Sequence, residues 1–246
     1  MLNEETLHKL SQMKLTGMLE NYRIQEKQPG YNSLSFEERL GLMVDAEFTK
    51  RQQNRMDRLL AKAHFSLPSA CLEDIHYRPD RQLNRQLLLE LAAGNYIAHG
   101  RNIVINGATG AGKSYLAQAL GTSACRQGIS VCYRRLSDLL DELLIAKHNS
   151  VSEYLELRKT FVRYPLLIVD EWLTFPILDE EAEVLLALID RRNQNQATIV
   201  VSQFAPLEWL EQIPNKVAAE AITDRLTAGS YHILIHGEIS MRRPID

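Results

Sequence analysis

The chain has 246 residues, 45% hydrophobic and 24% charged, with a formal net charge of −3 and a pI near 6.2. This is an ordinary soluble globular composition, long enough for one α/β domain plus a small extra module, and the bulk charge leaves any nucleic-acid binding to a local basic surface. No apolar run approaches the roughly 18–20 residues that span a bilayer, and MLNEETLHKL lacks the basic-then-apolar order of a signal peptide, so no membrane contact and a cytoplasmic location are expected.

Leu7, Leu10, Leu15, Met18, Leu19 and Tyr22 recur at helical intervals and predict an amphipathic helix running to Pro29-Gly30. A second helix is announced by Ser35 with Glu38 three residues on, the spacing of a reciprocal capping box, and continues through Leu40, Met43 and Phe48. The charge then changes sign. Residues 1–48 hold eight acids and five bases, whereas Lys50, Arg51, Arg55, Arg58 and Lys62 face a single acid, Asp57, between Thr49 and His64. The spacing of Arg51, Arg55, Arg58 and Lys62 places them in one stripe of a helix, away from Met56, Leu59, Leu60 and Ala63.

SLPSACLEDIHYRPD breaks this pattern, and Gln82 to Leu91 resumes it before Ala93-Gly94. The texture then becomes strand, loop, helix. NIVIN (102–106), ISVCY (129–133), LLIVD (166–170), ATIVVS (197–202) and HILIH (232–236) are predicted strands. Helices are predicted after Lys113, over Ser137 to Phe161, and over Asp179 to Asn193. Continuous apolar strands separated by helices point to a parallel sheet covered on both faces. Cys71, Cys125 and Cys132 lack metal-ligand spacing and read as small apolar residues in a reducing compartment.

GATGAGKS, comprising Gly107, Ala108, Thr109, Gly110, Ala111, Gly112, Lys113 and Ser114, satisfies G-x-x-x-x-G-K-[ST] between a strand and a helix. Glycines let backbone N–H groups turn toward phosphate oxygens, and the helix N-terminus adds positive potential. Lys113 would reach the β- and γ-phosphates of ATP, Tyr115 follows directly, and Ser114 would give its hydroxyl to Mg²⁺. Asp170, at the end of LLIVD, would hold the same ion through water, and Glu171 would polarise the attacking water as a general base. This pair predicts an ATPase. Ser202 or Gln203, ending a strand placed between those of the phosphate loop and Asp170, can hydrogen-bond that water or the γ-phosphate. Arg225 reads either as a structural ion-pair residue or as an arginine finger acting on a neighbour's γ-phosphate. Tyr96 and Ile97, before the first strand, read as packing residues that could also line the base.

The order GATGAGKS, LLIVDE, ATIVVSQ, DRL and a terminal GEISMRR, behind LHKLSQMKLTGMLENY and SFEERLGLMVDAEFTKRQQNR, resembles the IstB family of transposition helper ATPases, AAA+ relatives of the DnaC helicase loaders and the DnaA initiator. The resemblance covers nearly the whole chain. It implies an AAA+ P-loop domain with a central parallel sheet over 67–246, of which 67–100 is connector, preceded by an all-helical DNA- or partner-binding domain over 1–66. It implies Walker A at Gly107 to Ser114, Walker B at Asp170 and Glu171, sensor 1 at Ser202 or Gln203, an arginine finger at Arg225, and a terminal nucleotide-sensing arginine at Arg242 or Arg243. Trp172-Leu173 stands where such proteins often carry a glycine.

The implied activity is ATP-dependent assembly of a homo-oligomer, with ATP at subunit junctions, on duplex DNA that is deformed and delivered to a cognate transposase. On that reading Lys50, Arg51, Arg55, Arg58 and Lys62 track DNA phosphates without reading sequence, with Arg134 and Arg135, and then Arg158, Lys159 and Arg163, as weaker candidates. Two alternatives share these motifs. One is a helicase loader that prefers single strands, and the other is a nucleotide-dependent DNA clamp whose hydrolysis is incidental.

Overall fold

The N-terminal periodicity folds as two helices, α1 (Leu2–Gln12) and α2 (Thr16–Lys27), where one was expected. Lys14 adopts φ +58°, and the N–H groups of Lys14 and Leu15 return to the carbonyls of Ser11 and Leu10 at 2.9 Å each. This is a Schellman stop built on lysine instead of the usual glycine, which hides it in the sequence. The capping box forms as spaced: Ser35 N–H donates to the Glu38 carboxylate at 2.7 Å, and Glu38 N–H to Ser35 Oγ at 3.3 Å. From it runs α3 (Phe36–Ala63), a single helix of 28 residues.

These come from a computed structural model, which describes residues 2–237 and Met241. The chain divides into two units, Met1–Arg58 and Leu59–Asp246. Within the first, the buried Glu47 carboxylate accepts the N–H groups of Gly17 and Met18 at the start of α2 and an ion pair from Arg51 at 2.7 Å. A carboxylate meets the positive end of a helix there, and the Arg51 hydrogen bond, aided by the two amides, holds its pKa below the usual value.

In the second unit, α4 (Arg85–Ala92) and α5 (Asn95–Ala98) lead into β1 (Ile103–Gly107), α6 (Lys113–Arg126), β2 (Val131–Arg135), α7 (Leu136–Asn149), α8 (Val151–Arg163), β3 (Leu166–Asp170), α9 (Asp179–Arg192), β4 (Ala197–Ser202), α10 (Trp209–Gln212), α11 (Lys216–Thr227) and β5 (Tyr231–Ile235). The strands form one parallel sheet in the order β2-β3-β4-β1-β5. β4 lies between β1 and β3, as the sequence predicted. Alternate residues of β1–β4 feed two cores, while edge strand β5 feeds one: Ile103, Ile105, Ile168, Ile199 and Ile233 pack with α4 and α6, and Val104, Leu167, Val169 and Val200 with α7, α9 and α11. Each such side chain contributes about 1.5–3 kcal/mol on burial. That is why the strands read as unbroken apolar runs.

Residues 137–161 were expected to be one helix and are two. Ser150 takes extended φ and ψ, and its hydroxyl accepts Glu153 N–H at 3.1 Å, capping α8. α10 and α11 went unread. Arg192, at the end of α9, is buried without an acid and donates to the carbonyls of Phe161 (2.7 Å), Tyr164 (2.9 Å) and Ala197, and to Thr198 Oγ1 (3.1 Å). It therefore fastens the end of α8 to the start of β4, and burial pushes its pKa down to about 9.

Candidate nucleotide site

The carboxyl ends of β1, β3 and β4 open onto a cavity of about 920 Å³, the place where parallel α/β sheets present ligands. The phosphate loop crosses its floor. Gly112, at φ +91°, precedes α6, and a Cβ there would lie 2.8 Å from the Arg81 guanidinium. A Cβ on Gly107 would lie 2.2 Å from the Ile235 carbonyl of β5, so both positions require glycine. The loop's own carbonyls are tied down: Arg81 donates to Ala111 O, and Met241 N–H to Gly110 O, at 2.9 Å each. Lys113 is nearly buried and donates to Gly107 O and Ala108 O at 2.8 Å.

Asp170 is buried at the end of β3. Its Oδ1 accepts Ser114 Oγ–H at 3.1 Å and Glu171 N–H at 2.8 Å, and its Oδ2 accepts the Tyr133 hydroxyl at 2.8 Å. Glu171 is half-exposed, at φ +55°, and faces Arg135 at 3.7 Å; the Glu171 carboxylate raises the Arg135 pKa. Leu173, near the expected glycine, takes φ +48°, so the chain adopts a left-handed residue there without glycine. Trp172 holds the turn. It is fully buried, its backbone N–H donates to Val201 O at 2.8 Å, and its ring packs edge-on against Trp209 at 5.7 Å.

The two candidates after β4 separate. Ser202 is buried, donates to Trp172 O at 2.9 Å, and accepts Phe204 N–H and Trp209 Nε1–H, so its hydroxyl serves the fold. Gln203 Oε1 instead accepts Thr109 Oγ1–H of the phosphate loop at 2.8 Å, within the cavity. Arg225 lies at the other end of the sheet. Its carbonyl accepts Asn102 Nδ2–H just before β1, and its guanidinium pairs with Asp190 at 3.0 Å. A five-residue strand spans about 17 Å, so Arg225 does not serve the phosphate loop of its own chain. Arg242 and Arg243 lie outside the described residues.

Of the basic candidates, Arg51, Arg55, Arg58 and Lys62 are exposed on α3, although Arg51 is engaged by Glu47 and Lys50 by Glu20. Arg134 is spent on Glu142 at 2.7 Å and on the face of Phe161, Arg135 lines the nucleotide cavity, and Arg158 packs on Tyr154. These do not extend the stripe. Tyr96 and Ile97 are buried in the core beneath α4 and α6 and do not line the cavity; Ser66, Leu67, Ile75, His76, Arg81 and Tyr133 do. Their sequence signal was faint, a tyrosine near the carboxyl end of a strand and an arginine in a proline-bearing connector.

A family model described as IstB-like ATP binding protein matches residues 8–244. The chain belongs to the IstB-like family. Among its relatives, this IstB-like chain is 39% identical over 203 residues to a protein named for ATP binding in insertion sequence IS1162 of Pseudomonas fluorescens, covering 82% of this chain and 87% of that one. It is 36% identical over 246 residues to an insertion-sequence protein of Sinorhizobium fredii also named for ATP binding, covering 99% and 98%. In fold, the IstB-like chain is similar to the DnaC helicase loader (TM-score 0.56, 19% identity, 68% of this chain and 96% of that one). It is likewise similar to the replication initiator DnaA bound to AMPPCP and single-stranded DNA (TM-score 0.59, 19% identity, 71% and 52%). The fold is therefore that of an AAA+ P-loop domain preceded by a helical N-terminal region, and the protein is an ATP-binding protein of the insertion-sequence type.

Proposed function

We propose that this IstB-like protein hydrolyses ATP, assembles with ATP at subunit junctions, grips and deforms duplex DNA, and delivers that DNA to a transposase. The observation that carries the reading is the convergence of Lys113, Ser114, Asp170, Glu171 and Gln203 on one cavity at the carboxyl ends of three adjacent strands. Arg81 and Met241 hold the carbonyls of Ala111 and Gly110, and the Ala111 N–H donates to Ala108 O at 3.2 Å, so phosphate oxygens would meet the loop's other N–H groups and the charge of Lys113. A serine hydroxyl 3.1 Å from a carboxylate is the hard oxygen set that suits Mg²⁺, so Ser114 and Asp170 would hold it. Bound there, the ion supplies charge neutralisation for the transferring phosphoryl group.

Glu171, half-exposed and adjacent to Asp170, takes the proton of the attacking water, and Gln203 orients that water or the γ-phosphate. Arg225, too far from its own phosphate loop, completes the neighbour's site and releases Asp190 to do so. A trans arginine makes a head-to-tail interface. The exposed cations of α3 supply the DNA contact, which is to backbone phosphates. The insertion-sequence context of the relatives supports a transposase as the recipient.

The reading is tested by measuring affinity for duplex and single-stranded DNA with a non-hydrolysable ATP analogue. Nucleotide-dependent binding that prefers duplex is expected. A preference for single strands would favour a helicase loader instead.

A further inference from the structure

Four side chains from separate segments form one polar chain that ends on Asp170. Gln118 of α6 donates from Nε2 to Ser66 Oγ at 3.1 Å, Ser66 lies 3.1 Å from the Tyr133 hydroxyl, and Tyr133 lies 2.8 Å from Asp170 Oδ2. Chemistry fixes the direction. An ionised carboxylate only accepts, so the Tyr133 proton points at Asp170, and the lone pair of Tyr133 is left for the Ser66 proton. Gln118 Oε1 accepts Leu67 N–H at 2.7 Å and also lies 3.3 Å from Ser66 Oγ, so the Ser66 proton goes to the shorter contact, Tyr133 at 3.1 Å. The Tyr133 ring is buried and held edge-on by Phe65 at 6.4 Å.

Asp170 therefore has Oδ1 tied to Ser114 and to the Glu171 amide on one side, and Oδ2 tied to Tyr133 on the other. Without the Tyr133 hydroxyl, the carboxylate could rotate about its Cβ–Cγ bond and lose its alignment with Ser114. Groups that orient the holders of a metal ion tune its binding nearly as strongly as the holders themselves.

We infer that Tyr133 is a positioning residue for Asp170, and that Ser66, donating to Tyr133, sets the direction of its hydroxyl. The inference deepens the ATPase reading and rests on it. Ser66 follows the C-terminus of α3 by three residues, so the support of Asp170 is continuous in sequence with the helix that carries the basic stripe.

The test is equilibrium binding of a fluorescent ATP analogue to the full chain, first in chelator and then across a Mg²⁺ titration, for the parent, Tyr133→Phe, Ser66→Ala and the double variant. Tyr133→Phe keeps the ring and removes only the hydroxyl. It is expected to raise the Mg²⁺ concentration for half-maximal tightening by about tenfold, a larger change than any in metal-free affinity. Ser66→Ala is expected to raise it about threefold, and the double variant no further than Tyr133→Phe, because Ser66 acts only through Tyr133.

Coincident Mg²⁺ midpoints in parent and Tyr133→Phe would overturn the inference, as would a fall in metal-free affinity with no change in midpoint. A parent that binds the analogue at no Mg²⁺ concentration would overturn the ATPase reading beneath it. If Tyr133→Phe does not fold, the Ser66→Ala midpoint decides: a shift supports the inference, and identity with the parent overturns it.

Discussion

On the proposed reading the phosphate loop and the exposed stripe of α3 both offer cations to phosphate, and they are built in opposite ways. Lys113 is nearly buried, its loop carbonyls are fixed by Arg81 and Met241, and its neighbours meet from three strands and two connectors. Arg55, Arg58 and Lys62 stand exposed on one helix, and nearby Arg51 and Lys50 are partly neutralised by Glu47 and Glu20. A preorganised cavity selects one ligand geometry, whereas a solvated stripe supplies affinity that is indifferent to sequence and sensitive to salt. On the proposed reading, the first region does the chemistry and the second grips DNA.

The largest expected break falls on the first region from a distance. Arg225→Ala should lower ATP turnover by about 10³-fold or more if the finger acts in trans. Mixing it with Glu171→Gln subunits should restore part of the turnover, because a junction then pairs an intact Glu171 with a neighbour's intact Arg225. Steady-state phosphate release in mixed and unmixed samples checks both outcomes. Lys113→Ala should weaken ATP binding by about 10–100-fold, the loss of charge-assisted hydrogen bonds to phosphate, as read by titration calorimetry.

The stripe should respond differently. Replacing Arg55, Arg58 and Lys62 with alanine should leave DNA-free turnover unchanged and reduce the salt slope of duplex binding by about 0.9 for each phosphate that is no longer neutralised. Binding isotherms at several salt concentrations measure this. If the triple variant instead lowered turnover in the absence of DNA, the two regions would not be separable as described.

The smallest effect concerns the first unit's stability. The Glu47 pKa is held below its ordinary value by the Arg51 hydrogen bond first, with the Gly17 and Met18 amides adding to it. A depressed carboxylate contributes stability above its unfolded pKa and loses it as pH falls through the lowered folded value. Glu47→Gln should therefore melt about 2–4 °C below the parent at neutral pH, the effect of a lost helix cap of about 1 kcal/mol. The gap should close on acidification, which thermal melts at several pH values would show.

The same contrast explains what could be read without coordinates. GATGAGKS, LLIVDE and ATIVVSQ are each contiguous, and their strands are buried on both faces, so pattern and chemistry coincide in a few residues. The stripe was legible as charge and spacing. What escaped were residues that acquire meaning only by meeting: Ser66, Gln118 and Tyr133 behind Asp170, and Arg81 behind the loop. The sequence left Ser202 and Gln203 level, and the Trp172 and Trp209 partners of the Ser202 hydroxyl, invisible in sequence, favour Gln203. The breaks at Lys14 and Ser150 were missed because a left-handed lysine and a serine cap interrupt runs whose apolar periodicity continues.

The central claim is that one ATP site drives assembly on DNA, and its most direct test is ATP turnover by the parent and Glu171→Gln with and without duplex DNA, with oligomer size followed in parallel. The account predicts that duplex stimulates the parent, and that Glu171→Gln assembles on DNA with ATP while hydrolysing about 10²–10⁴-fold more slowly. Turnover indifferent to duplex, from a protein that stays monomeric with ATP, would contradict it.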